Sequence, residues 1–409
     1  MLQFRKIAVV AVVMLLAAAI PVCAADTVTA DDAARFLAGM PPSAESPLTP
    51  LTKDPTWQRH SRFFDAAFGQ LEQRQLSKIR TWAAANLAAP RPTMFYMFSG
   101  PDFLYAEAFY SKATTYVLSA LEPVGSVPDL TRLRSDGIYY TLYDVEHSMS
   151  SILNFSFFIT KHMKADLREG ELSGTLPILY VFLARSGKII HSVEPVTLDD
   201  QGIEHSASES AGKNAARGVK IRFAGSDGVE KTLYYFSTDL SNNSVRTSGF
   251  LKFCATLAPG NSLIKSASYL LHARSFTTVR DFLLANSATI IQDDSGIPLG
   301  DYDPRRWRFF PFGHYAGPIA KFPRMYQPNY AELFQRSQPI DFGIGYRWRS
   351  FESNLLLSVK LASDTPGSVE ATPPAEPSPA ELPQQKPQRP PRTRPQVYDR
   401  PGSFWPFGR

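Results

Sequence analysis

The sequence predicts an α/β protein of three layers, α/β/α, with a mainly parallel, Rossmann-like sheet that carries antiparallel hairpins and is preceded by a small helical region. Three observations lead there. Short apolar runs stop abruptly at an acidic residue beside Gly or Pro, in MFYMFSGPD (94–102), TYVLSALEPVG (115–125) and ATIIQDDSG (288–296). Each reads as a buried strand running into a turn. Between the first two runs, PDFLYAEAFYSK places Pro101 at a helix start and Phe103, Ala106, Phe109 and Tyr110 on one face, so strand, helix and strand follow within the length of a βαβ crossover. Finally, GVKIRFAGSDGVEKTLYYFSTDL folds back about a Ser-Asp-Gly turn, a hairpin signal.

The elements before the sheet follow from local signals. Arg5 and Lys6 precede an apolar run from Ile7 to Ile20 and then Pro21-Val22-Cys23-Ala24, the layout of a signal peptide cleaved after Ala24. Residues 1–24 are therefore expected to be removed, which predicts a periplasmic or secreted protein with no transmembrane helix after cleavage; a retained anchor is the alternative, but the run is short of the roughly 20 residues a bilayer needs. Residues 25–91 form the helical region. Thr29 and Asp32 resemble a capping box, and TWQRHSRFFDAAFGQLEQRQLSKIRTWAAANL carries Phe64, Phe68, Leu71, Ile79 and Trp82 near helical spacing.

The α/β domain spans 92–362. Within it DVEHSMSSILNFSFFITKHMKADLRE reads as a long apolar helix, LPILYVFLARSGKIIHSVEPV as two strands joined by Ser-Gly, and SFTTVRDFLLANSA as a helix feeding the ATIIQ strand. GIGYRWRSFESNLLLSVKLA supplies one or two closing strands. From residue 363 the composition turns Pro-rich with little to bury, so 363–409 is expected to be a disordered, loosely polyproline II tail. Lys386, Arg389, Arg392, Arg394, Arg400 and Arg409 against Asp399 account for the whole formal charge of +5. The body is then near neutral, and nucleic-acid binding is not expected. After cleavage Cys254 is the remaining cysteine, set in FLKFCATL, where a buried inert thiol is expected rather than a nucleophile.

Ligands of open parallel sheets bind beyond the carboxyl ends of the strands. Asp102, Glu122, Asp293 and Asp294 are expected at that edge, where clustered carboxylates serve as an acid/base pair or hold a divalent cation such as Mg²⁺ or Ca²⁺. The plainer reading of Asp102 is a helix cap. Ser99 and Ser295 are candidate nucleophiles and His147 and His272 candidate bases, although no G-x-S-x-G elbow occurs. The first βαβ resembles a nucleotide site in layout, with Gly100 at the turn and Glu122 where a ribose would bind, but the fingerprint's other glycines are missing and Pro101 removes an N–H.

A Pro/Gly-rich loop over 301–322, with Arg305, Trp307, Arg308, His314 and Tyr315, suits an acidic glycan or another anionic polymer, or else plugs the sheet end. The leading expectation is an exported cell-envelope protein, a hydrolase or glycan-processing enzyme; the alternative is a non-catalytic binding or scaffold protein contacting envelope polymers.

Overall fold

A computed structural model describes residues 27–361 except 88, 132, 135, 136, 159–171 and 208–214. The leader and the Pro-rich tail lie outside the described residues.

The strands are β1 (Thr93–Met97), β2 (Thr115–Ala120), β3 (Ile189–Leu198), β4 (Glu204–Ser206), β5 (Ala216–Ala224), β6 (Glu230–Ser237), β7 (Gly260–Ile264), β8 (Ser287–Gln292), β9 (Trp307–Gly313) and β10 (Asn354–Lys360). They form one sheet in the order β4-β3-β5-β6-β2-β1-β7-β8-β10-β9. The central strands β6, β2, β1, β7 and β8 are mutually parallel. Antiparallel pairs extend both flanks, β5-β3-β4 beyond β6 and β10-β9 beyond β8. Numbered among themselves in chain order, the parallel strands lie third-second-first-fourth-fifth, the Rossmann order, and the direction of winding reverses between β1 and β7.

That reversal fixes the layers. Helices α1 (Ala30–Leu37), α2 (Pro55–Leu71), α3 (Ser77–Asn86), α4 (Phe103–Phe109), α5 (Ile138–Phe155) and α6 (Leu176–Arg185) cover one face; α7 (Phe250–Thr256) and α8 (Thr277–Asn286) cover the other. Strand side chains alternate accordingly: Met94 and Tyr96 join the first core, Phe95 and Met97 the second. A smaller cluster of Tyr315, Tyr330, Phe334 and Leu356 sits under α9 (Pro328–Leu333). Local chemistry sets the helix starts. Thr29 Oγ1 accepts from Asp32 N at 3.0 Å, and Asp54 accepts from Thr56 N at 2.8 Å ahead of Pro55. Between α2 and α3 a π-helical turn, Glu72–Leu76, turns Gln75 inward, where its amide donates to the Trp348 carbonyl at 3.1 Å.

The fold differs from expectation in four places. The long helix expected over 144–169 runs instead over Ile138–Phe155 and ends at a left-handed Ser156 (φ 73°), and 159–169 of that segment lie outside the described residues. LPILYVFLAR is the helix α6, not a strand: Leu176 to Ala184 are all buried, so the run is apolar on every side and shows neither period, and Pro177 at the first turn is the helical signal. Only the stretch that follows, Ile189–Leu198, is a strand. Residues 307–313 of the expected loop are strand β9, paired along its whole length with β10; Pro311 is tolerated because β9 is an edge strand. Lastly, the hairpin strand β6 is no decoration, since it also pairs with β2 in the parallel centre. Cys254 is buried on α7, and burial pushes its thiol well above the usual range.

Candidate functional site

The chain leaves β1 at Met97, takes a left-handed conformation at Phe98 (φ 62°), turns through Ser99-Gly100-Pro101 and enters α4 at Asp102. One Asp102 oxygen accepts from Tyr105 N at 3.3 Å, a helix cap; the other accepts from Tyr96 Oη at 2.8 Å. That second oxygen also lies 2.8 Å from Lys265 Nζ, an ion pair whose side chains are each 2% exposed. Lys265 is the first residue after β7. By strand alternation it leaves the sheet on the side of Leu263 and Tyr96, and so meets Asp102 across the point where the winding reverses. Its ammonium also donates to the Ser156 carbonyl and lies 4.1 Å from the centroid of the Tyr105 ring.

Asp293 and Asp294 follow β8. Asp293 accepts from Ser266 N at 2.9 Å, Ser295 N at 3.0 Å and Ser295 Oγ at 2.5 Å. Burial raises its carboxyl above the usual range, while these hydrogen bonds and the charge of Lys265 pull the other way. Asp294 accepts from Tyr269 Oη at 2.6 Å and from the Asn354 amide at 3.2 Å. Its burial and then the neighbouring Asp293 charge push it up to about 7. The two carboxyls titrate as a pair, with the last proton held towards neutrality.

Backbone conformation is unusual here. All five non-glycine residues with positive φ among the described residues border this edge: Phe98, Ser156, Ser266, Ser268 and Tyr269. Each such conformation costs roughly 1–3 kcal/mol and persists only where surroundings impose it, which happens most often at functional sites. Gly345 (φ 61°) approaches so closely that a Cβ on it would fall 1.9 Å from Asp293 Oδ2. Gly345→Ala should therefore destabilise the fold by roughly 1–3 kcal/mol or more through overpacking, read as a lowered denaturant midpoint; a shift below about 0.5 kcal/mol would mean that Asp293 yields freely.

No protein-family model, curated protein or solved structure matches the chain. The reading of the site therefore rests on its geometry.

Of the four carboxylates expected together, Asp102 pairs with Lys265, whose charge also acts on Asp293, and Asp294 adjoins Asp293. Glu122 is buried at the same sheet edge, but its carbonyl takes the Tyr235 hydroxyl at 2.9 Å on the β6 side, and no described hydrogen bond joins it to the other three. The nucleophile geometry is also different from that of a triad. Ser99 Oγ donates to the Gly100 carbonyl at 2.7 Å and Ser295 Oγ to Asp293, so neither gives its proton to a histidine. His272 lies edge-on to Tyr269 at 5.3 Å, and burial lowers its imidazole to about 4. His147 is on the exposed face of α5, with its ring 5.9 Å from that of Tyr143.

Gly100 does adopt φ 58° at the turn, but α4 has seven residues and Asp102 is committed to Lys265. Among the described residues no group of three or more His, Cys, Asp or Glu is placed to hold a metal ion. The donors explain this: Asp102 is paired with the Lys265 ammonium, and Asp293 already accepts three hydrogen bonds. In the Arg/aromatic segment Trp307 and Tyr315 are buried, Trp307 against Tyr302 at 5.3 Å, which fits the plug; Arg305, Arg308 and His314 are exposed.

Sequence reasoning missed Lys265, Tyr96, Tyr269 and Asn354. The available signal was LIKSASY, where one Lys interrupts an apolar run directly after Leu263-Ile264.

Proposed function

We propose that the protein is an exported cell-envelope protein whose working centre is the Asp293–Asp294 pair and its Lys265–Asp102 counterpart at the winding reversal of the sheet. Its chemistry is acid/base, of the hydrolase or glycan-processing kind. The carrying observation is the coincidence of a buried acid pair that holds a proton near neutrality with five non-glycine left-handed residues at the same edge. In this role Asp294 holds or moves the proton, with Tyr269 and Asn354 orienting it. Asp293 fixes the loops after β7 and β8, and Lys265 keeps Asp102 and Asp293 compensated. The N-terminal leader layout supports envelope placement, and cell fractionation checks it.

Turnover of envelope oligosaccharides, followed by mass spectrometry from pH 5 to 8, tests the chemistry. Asp294→Asn should lower the rate about 10²–10⁴-fold, the usual worth of a general acid or base. Retention of every envelope phenotype in the Asp293→Ala and Asp294→Ala variants would remove the acid/base assignment. One observation favours a second reading, a non-catalytic binding or scaffold protein: the acid pair is fully buried and its hydrogen bonds are internal. On that reading Asp294→Asn changes stability and leaves binding intact.

A further inference from the structure

Helix α5 packs Leu142, Val145, Met149 and Ile152 inward and turns a row of rings outward. Tyr139, Tyr143 and His147 succeed one another at four-residue spacing, which puts them on one stripe. Their rings are nearly parallel, at 6.0 Å and 16° and then 5.9 Å and 9°. Tyr140 stands edge-on to Tyr139 at 5.4 Å, and Tyr139, Tyr140 and Tyr143 are 47%, 70% and 46% exposed. Arg59 of α2 borders the row, 6.0 Å from the Tyr139 centroid and 3.5 Å from Glu146. A helix already anchored by its apolar face has no packing need for three tyrosines on the opposite side, and grouped exposed rings mark a contact surface.

Rows of exposed aromatic rings suit proline-rich chains, because a polyproline II segment is already extended and loses little entropy on docking. This chain carries such a ligand. Beyond Leu361 lie 48 residues with 12 prolines, including Pro374-Ala375-Glu376-Pro377 and Pro387-Gln388-Arg389-Pro390. The second motif has Lys386, Arg389 and Arg392 in and around it, and such cations stack on tyrosine faces. Reach is sufficient. At roughly 3.1 Å per residue the stretch from Leu361 to Pro387 spans about 80 Å, against a radius of gyration of roughly 20 Å for a body of this size. The stacked row is itself about four polyproline II residues long. Tethering raises the local concentration of the segment to about the millimolar range, so a weak intrinsic affinity is enough.

We propose that the tail segment Lys386–Arg392 docks on the Tyr139/Tyr143/His147 row of α5, with its prolines and its cations against the ring faces. The test uses the full-length chain with Tyr140→p-benzoylphenylalanine, irradiated and mapped by mass spectrometry. Cross-links should fall within residues 380–395, and both Tyr139→Ala/Tyr143→Ala and Pro387→Ala/Pro390→Ala should reduce their yield at least tenfold. Cross-links to the body alone or to a second chain, a yield unchanged by both double variants, or cross-linking that requires added peptidoglycan would each overturn the proposal. If the tyrosine variant fails to fold, the proline variant, which alters no core residue, decides.

Discussion

Replacing Lys265 with Met is expected to cost about 3–5 kcal/mol of stability, the range found when one partner of a buried ion pair is removed. The reason is what remains. Asp102 is 1% exposed and would keep a charge opposed only by the Tyr96 hydroxyl and one backbone N–H. Asp293 would lose the positive charge that counteracts its burial. The Ser156 carbonyl, in a left-handed turn, would lose the ammonium that it accepts from. Combining Lys265→Met with Asp102→Asn should recover much of the loss, because the stranded charge goes with it. Urea unfolding of the two variants distinguishes the cases: a single-variant loss below about 1 kcal/mol, as for an exposed pair, would mean that water reaches the site.

The second large effect is in the pH dependence of stability, and it emerges in full only when one of two groups is changed. In the folded protein Asp294 is raised from 3.8 to about 7, and His272 is lowered from 6.5 to about 4. The raised acid alone makes the folded state bind more protons than the unfolded one between about pH 4 and 7, so its contribution falls as pH rises through that window. The lowered histidine alone does the opposite: the unfolded state binds more protons between about pH 4 and 6.5, and stability falls as pH drops. From about pH 4 to 6.5 the folded state holds the proton on Asp294 and the unfolded state holds it on His272. The two contributions oppose each other, so the wild-type curve should be shallower there than that of either variant, with Asp293, also raised, adding to the acid's side. Asp294→Asn should expose a loss of stability on acidification, with a slope of at most about 1.4 kcal/mol per pH unit. His272→Gln should expose a loss on going from pH 4 to 7. The histidine arm will be the smaller, since His272 is partly open to water. Melting temperatures of the three proteins across pH 4 to 8 check this, and parallel curves for all three would refute it.

The parallel centre of the sheet was legible where local signals agree. Apolar runs closed by Asp, Glu, Gly or Pro marked β1, β2 and β8, and Ser-Asp-Gly marked the β5–β6 turn. It was not legible at β7, where GNSLI begins with Gly, Asn and Ser and has two apolar residues. Those polar residues are used across the sheet: Asn261 donates to the Arg91 carbonyl at 2.9 Å, and Ser262 pairs with Ser287 at 2.7 Å. Missing β7 meant missing Lys265, and so the site appeared as a set of carboxylates with room for a cation. Asp102, Asp293 and Asp294 were placed by the rule that strand ends gather function. Glu122 satisfied the same rule, and its neighbours on the β6 side depend on contacts far apart in sequence.

The winding order also governs when this chain can finish folding. β1 has its registered neighbour β7 at Met94↔Asn261, and the Gln75 amide closes on the carbonyl of Trp348, 273 positions away. β10, which covers the edge of β8, is formed by residues 354–360. A chain emerging amino end first can pair β1 with β2 at once, whereas β7 and β10, which complete the sheet on the other side, arrive only later in the body. Contacts of such long sequence separation slow folding, so the sheet closes in full only once nearly all of the body has been made.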